Sequence, residues 1–175
     1  MIKKKSLLPP FFEYIFLIAI AVIIAILIRT FIIHTYMIPT SSMEPTILMG
    51  DNLLVEKITY RFRSPKVGEI VVFNNPSGIE KQLIKRVIGV PGDHVEITED
   101  GHVILNGQAY EEHYAIYQNV GKSFSFDIKE GTVFVLGDNR GNSQDSRWIG
   151  PISEDMIIGR AIFRRWPLNR FGPIK

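Results

Sequence analysis

Residues 81 to 93 read KQLIKRVIGVPGD. An extended chain turns successive side chains to opposite faces, so Leu83, Lys85 and Val87 share one face and Ile84, Arg86 and Ile88 the other. The run stops at Pro91, Gly92 and Asp93, a turn signal. Each face therefore carries one cation flanked by apolar side chains. Two readings fit: an edge strand whose charges discourage aggregation, or a strand that holds one cation dry for chemistry. Only Lys85 suits the second use. A guanidinium does not deprotonate in proteins, whereas burial disfavours an ammonium and frees the amine to accept a proton.

Outward from this strand the same alternation of short apolar runs and turns continues. NLLVEKI, EIVVFNN, HVEIT, HVILNG, SFSFDI, TVFVLGD and MIIGRAIF are rich in Val, Ile and Phe, and SPKVGE, VPGD, EDGH and KEGT separate them. A helical period recurs only briefly, around Ser153 to Met156. This pattern predicts a mainly β domain, folded as a sandwich or a partly open barrel.

The N-terminal part is of a different kind. YIFLIAIAVIIAILI, residues 14 to 28, holds no charge or breaker, and RTFII extends the apolar stretch to residue 33. At 1.5 Å per residue, the roughly 20 residues from Tyr14 to Ile33 cover about 30 Å, one hydrocarbon core. Pro9 and Pro10 suit the start of a helix, Pro39 sets the latest exit, and Arg29 can snorkel to a headgroup layer. Lys3, Lys4 and Lys5 precede the span, and no Lys or Arg occurs from residue 30 to residue 56, so the N-terminus is expected in the cytoplasm. A cleaved secretory signal is the rival reading, but no small-x-small site follows the run closely. The expected division is a cytoplasmic segment 1–10, a transmembrane anchor 11–35 and an extracytoplasmic domain 36–175.

The chain has 175 residues and a net charge of +2, with its positive excess before residue 34. The near-neutral remainder offers no basic face to phosphates, so nucleic acid is set aside as a partner. Cysteine is absent, which excludes disulfides, thiolate zinc sites and a thiol nucleophile. No ligand cluster suggests a metal, and no cofactor is expected.

Two polar stretches remain. PTSSMEPT, residues 39 to 46, sets two serines and a threonine between prolines just beyond the apolar run. A serine in such a loop ordinarily bonds nearby backbone. LGDNRGNSQDSRWIG, residues 136 to 150, packs Asp138, Arg140, Asp145 and Arg147 among small polar residues. It reads either as a solvated loop or as a support that holds a nucleophile and its base in register.

Taken in order after an anchor, IPTSSMEPT, GDNLLVEK, GEIVVF, KRVIGVPGD and GDNRGNSQDSR give the chain its resemblance to a bacterial type I signal peptidase, the leader peptidase family, in its short single-span form. The resemblance covers nearly the whole chain. It implies a membrane-bound serine endopeptidase of the plasma membrane that removes signal peptides from exported preproteins. Ser42 falls on the nucleophile and Lys85 on the general base. Thr40 falls beside the oxyanion, Ser143 on a hydroxyl that orients the lysine, and Asp138, Arg140, Asp145 and Arg147 on supporting positions. Tyr36, Ile38, Pro39, Met43, Ile47, Leu83 and Ile84 are the aligned candidates for lining pockets that take small side chains, and ordinary core packing is the competing reading for each. The family uses no catalytic histidine, which leaves His34, His94, His102 and His113 as surface or structural residues.

This sequence departs from a common form of the pattern at two positions. Ser41 stands where many members have Gly, and Thr40 where many have Ser. Ser41 therefore competes with Ser42, and the spacing to Met43 and Pro45 selects Ser42. Two other functions fit less well: a self-cleaving Ser/Lys hydrolase, and a noncatalytic membrane-anchored β module that binds a partner along a sheet edge.

Overall fold

The computed structural model describes residues 10–78, 82–118 and 121–174. The basic N-terminal lysines, Pro9 and Lys81 lie outside these. Helix α1 runs Pro10–Phe31, with a proline at its first position as expected. Its segment Phe11–Thr30 is long and apolar enough to cross a membrane, and none of it is buried inside the protein. A helix that is apolar on every side and covered by no other element needs an apolar solvent.

The helix ends earlier than the expected boundary at residue 35. Ile32 N donates to Ile28 O at 2.9 Å in the last turn, and Ile33–Met37 form strand β1. The β-branched and aromatic residues Ile33, Thr35 and Tyr36 favour a pleated surface. They also find a partner: β1 pairs antiparallel with β2, Asn52–Glu56. The apolar run is thus shared between a helix and a strand.

The domain is mainly β. Strands β3 (Ile70–Asn74), β4 (Gln82–Gly89), β5 (His94–Ile97), β6 (Val103–Leu105), β7 (Gln108–Ala109), β8 (Phe124–Asp127), β9 (Thr132–Leu136), β10 (Ile152–Ser153), β11 (Ile157–Trp166) and β12 (Gly172–Pro173) follow in chain order. The larger sheet has the order β1-β2-β11-β3-β4-β9-β10, with β12 added to β11. The smaller sheet has the order β7-β6-β5-β8. Each run that the alternation marked is a strand. The brief helical pattern near Ser153 is a 3-10 turn, Glu154–Met156.

β4 is not an edge strand. It lies between β3 and β9, and every residue from Leu83 to Gly89 is buried. Its two faces enter different parts of the core. Leu83 and Val87 pack with Val71, Phe73 and Val135. Ile84 joins Ile38, Met43, Ile47, Leu53 and Val55, while Ile88 meets Val95, Ile97 and Phe134 below the smaller sheet. Both cations of this strand are consequently inside the protein.

Candidate active site

The segment after β1 is held by its apolar residues. Met43 and Ile47 are fully buried in the core, and Ile47 N donates to Met43 O at 2.9 Å, closing one helical turn. Ile38 N donates to Asp51 O at 2.9 Å, and Gly50 N to Ile38 O at 2.8 Å, so the loop is tied at its neck. Asp51 in turn is ion-paired with Arg164, whose Nε lies 2.8 Å away, and accepts from Arg170 Nη1 at 3.0 Å. Ser42 therefore sits on a backbone anchored on the side away from solvent.

Ser42 is 6% exposed and Lys85 2%. Lys85 Nζ donates to Ser42 Oγ at 2.8 Å and to Ile84 O at 2.9 Å. Thr40 Oγ1 lies 3.4 Å from Ser42 Oγ. The competing serine is engaged elsewhere, because Ser41 Oγ accepts from Asn142 Nδ2 at 2.8 Å. Of the two hydroxyls, Ser42 is thus the one in direct contact with the amine.

The loop after β9 closes the site from behind. Asn139 N donates to Ser42 O at 3.1 Å, and Asn139 Nδ2 to Ser41 O at 3.3 Å. Gly137 leaves room for this approach: a Cβ there would stand 2.3 Å from Ser143 Oγ and 2.5 Å from the Ser42 carbonyl oxygen. Asp145 caps the short helix α2, Ser146–Ile149. Its carboxylate accepts from Gly137 N at 3.0 Å and from Arg147 Nε at 2.8 Å, and Arg147 Nη2 reaches Arg140 O at 2.8 Å. Asp145 and Arg147 thus join Gly137 and Arg140 in a closed ring of bonds inside the loop.

Asp138 and Arg140 extend that support outward. Arg86, on the face of β4 opposite Lys85, makes a bidentate pair with Asp138, with Nε–Oδ1 at 2.9 Å and Nη2–Oδ2 at 2.7 Å. Thr46 Oγ1 donates to the same carboxylate at 2.5 Å. Burial works against the Arg86 charge, yet the Asp138 carboxylate holds its pKa above the ordinary value. The Tyr114 ring lies 3.8 Å from this guanidinium; burial, then the nearby Glu112, pushes the Tyr114 hydroxyl pKa up. Arg140 Nη2 meets Glu112 Oε1 at 2.5 Å with both side chains fully buried.

Several of these contacts were not visible in the sequence. Thr46 lies within the quoted PTSSMEPT motif, and its direct bond to Asp138 comes only from folding. Glu112 has no local signal, because its partner is far along the chain. Asn139 and Asn142 are small polar residues in a loop rich in them.

Two cavities flank the pair. One of about 380 Å³ is bordered by both serines, Ser41 and Ser42, and by Pro39, Thr40, Met49, Leu83, Lys85, Asn142 and Gln144. The other, about 180 Å³, is bordered by Tyr36, Ile38, Pro39, Leu83 and Ile84. Pro39 and Leu83 form the partition between them. Burial raises the Tyr36 hydroxyl pKa, and a hydrogen bond with Gln82 opposes that shift. Met43 and Ile47 line neither cavity. Fully buried and one helical turn apart, they hold the loop rather than border a pocket, so core packing is the correct reading for both.

Ser143 also differs from expectation. Its Oγ is buried against Gly137 and has no hydrogen-bond partner among the described residues, so it does not make the bond expected to Lys85. The four histidines lie away from the pair: His94 contacts Asp127 at 2.6 Å, His102 stacks on Tyr117, His34 meets Tyr36, and His113 stands exposed near Glu111.

Residues 11–166 match the family described as "Signal peptidase, peptidase S26". The chain belongs to this family. A probable signal peptidase I-2 of Synechocystis is 43% identical over 157 residues, covering 87% of this chain and 72% of that protein. A signal peptidase I of Leptolyngbya laminosa is 41% identical over 172 residues, covering 94% and 84%. A signal peptidase IB of Staphylococcus aureus is 37% identical over 186 residues, covering 96% and 94%. For an S26 peptidase, the contact of amine and hydroxyl beside a cleft is the feature from which chemistry can be argued.

Proposed function

We propose that this S26 peptidase is a membrane-anchored serine endopeptidase that removes signal peptides from preproteins, with Ser42 as nucleophile and Lys85 as general base. The observation that carries this reading is the 2.8 Å contact between Lys85 Nζ and Ser42 Oγ, two groups that are almost wholly buried. Burial disfavours the ammonium, so the amine can take the hydroxyl proton as Oγ attacks the scissile carbonyl. The carbonyl oxygen gains charge and is met by the Ser42 N–H and the Thr40 hydroxyl. The ammonium then protonates the leaving amine. Water, deprotonated by the same amine, hydrolyses the acyl group from Ser42 and restores both side chains. Ser143, whose hydroxyl oxygen is buried near the Ser42 carbonyl and unpartnered among the described residues, is assigned to hold the ammonium while it exists.

Alternate side chains of an extended peptide face the same way. The residue before the bond fits the cavity beside the pair, and the residue two earlier fits the smaller apolar cavity across Pro39 and Leu83. Helix α1 spans the bilayer of the plasma membrane with the N-terminus inside, which places Ser42 where a signal peptide's cleavage site leaves the membrane.

The test is cleavage of a preprotein by the detergent-solubilised full chain. Ser42→Ala, Lys85→Ala and Lys85→Arg are expected to lose activity, while Ser41→Ala retains it. Near wild-type cleavage by Lys85→Arg would remove the base assignment, and full activity in Ser42→Ala would move the nucleophile to Ser41.

A further inference from the structure

A separate cavity, about 700 Å³, lies where α1 meets the sheet. Its walls are Ala25, Ile28 and Arg29 from the helix, Ile33 and Thr35 from β1, and Arg165 from β11. It is lined by two guanidiniums and, among the described residues, by no carboxylate. Ala25, Ile28 and Arg29 are spaced to share one helix face. Arg165 is placed by a register shift: Arg164 pairs with Leu53 and Trp166 with Asn52, leaving Arg165 as the extra residue. Such an irregularity re-aims a side chain. The consequence is a division between neighbours. Arg164 turns inward to Asp51 at 2.8 Å, whereas Arg165 is exposed and lines the cavity.

Neither Arg29 nor Arg165 forms an ion pair among the described residues. Most arginines of the domain do, including Arg63, Arg86, Arg140, Arg147, Arg160 and Arg170. Two unmatched guanidiniums beside the end of an apolar helix lie at headgroup depth if α1 spans a bilayer, a premise shared with the proposed function. The sheet continues outward from the cavity with exposed apolar residues. Thr35, Leu54 and Phe163 lie in one cross-strand row, and Met37, Asn52 and Trp166 in the next. Met37 is 73% exposed and Trp166 55%.

We infer that this cavity binds an anionic phospholipid, with Arg29 and Arg165 on its phosphate and the start of an acyl chain along Ala25 and Ile28. Guanidinium forks suit phosphate oxygens, and the apolar helix wall excludes a ligand that is only polar. Binding would fix the angle between α1 and the sheet, because the two arginines come from opposite walls.

The experiment is native mass spectrometry of the full chain in a zwitterionic detergent, with phosphatidylglycerol and phosphatidylcholine supplied at equal concentration. Wild type should retain phosphatidylglycerol preferentially. Arg29→Gln or Arg165→Gln should each reduce that preference about fivefold and the double variant about 25-fold, the size expected for one and two basic residues at a lipid surface. Arg165→Lys should keep most of it. Unchanged melting of the variants in the same detergent shows that they are folded. Three results would each overturn the inference: an unchanged preference in the double variant, an equal loss in Arg61→Gln, which removes a charge from a different cavity, or displacement of the lipid by inorganic phosphate. Preprotein cleavage is read separately, and loss of lipid preference with retained cleavage leaves the catalytic assignment untouched.

Discussion

Lys85 and Arg86 are neighbours on β4, and both are almost completely buried, yet they are held in different ways. Arg86 meets the Asp138 carboxylate through two parallel bonds. Lys85 meets a serine hydroxyl and a backbone carbonyl. A guanidinium keeps its charge in any protein environment, so burying it requires an opposite charge to offset desolvation. An amine can give up its proton instead. On the proposed catalytic reading, the same strand supplies a fixed charge on one face, which locks the loop of Asp138 to the sheet, and a titratable base on the other. Stability and reactivity are separated by one residue.

The largest effect that would break this comparison is on activity. Lys85→Met is expected to lower cleavage at least about 1,000-fold while changing the unfolding free energy by no more than about 1 kcal/mol, measured by denaturant titration of the same sample. A large loss of stability with modest loss of cleavage would reverse the assignment of the two faces. Arg86→Met should do the opposite, costing about 3 to 5 kcal/mol because it leaves Asp138 charged and buried without its partner. Restoration of that stability in the double variant Arg86→Met with Asp138→Leu would show that the unpaired charge, rather than lost packing, is the cause.

Gly137→Ala sharpens the comparison at the point where the two faces share a backbone. The new Cβ would collide with the Ser42 carbonyl oxygen and Ser143 Oγ, and displacing Ser42 by a fraction of its contact distance to Lys85 should reduce cleavage about 100-fold. An active Gly137→Ala enzyme would show that the loop can yield. The smallest effect concerns a surface network. Partial burial pushes the Glu69 pKa up, but bonds from Arg63, Lys66 N and Arg160 outweigh it and hold it at about 2, against an ordinary value of 4.5. Because the folded value is the lower one, this stabilisation is present above pH 4.5 and is lost as pH falls toward 2. Melting of Glu69→Gln should be flatter than wild type across that acid window. Parallel curves would remove Glu69 from the account.

Much of this was legible because it is local. The strands NLLVE, IVVFN, TVFVL and IIGRAIF were visible in their branched and aromatic residues, and α1 in its unbroken apolar length. β1 was hidden inside the same apolar run, since Ile33 and Tyr36 are as acceptable in a membrane helix as in a strand until β2 is there to pair with them. The two-residue strands β7, β10 and β12 are too short for any period to register. Helix α2 did carry a signal, Asp145 ahead of Ser-Arg-Trp-Ile, which reads as an N-cap. Of the pocket candidates, Tyr36, Ile38, Pro39, Leu83 and Ile84 do border a cavity, whereas Met43 and Ile47 point into the core, a choice set by the turn between them.

From the sequence alone came the division into an apolar helix and a β domain and the likeness to a signal peptidase, because each depends on composition or on order along the chain; the pairing of a serine loop with a lysine strand was what that likeness implied. Spacing had selected Ser42 over Ser41, and the tertiary structure brings that hydroxyl to the amine; only the tertiary structure decided that Arg86 is bound to Asp138 and that Arg29 and Arg165 line one cavity. Alternation places a side chain on one of two faces, but it carries no information about which distant segment will cover that face.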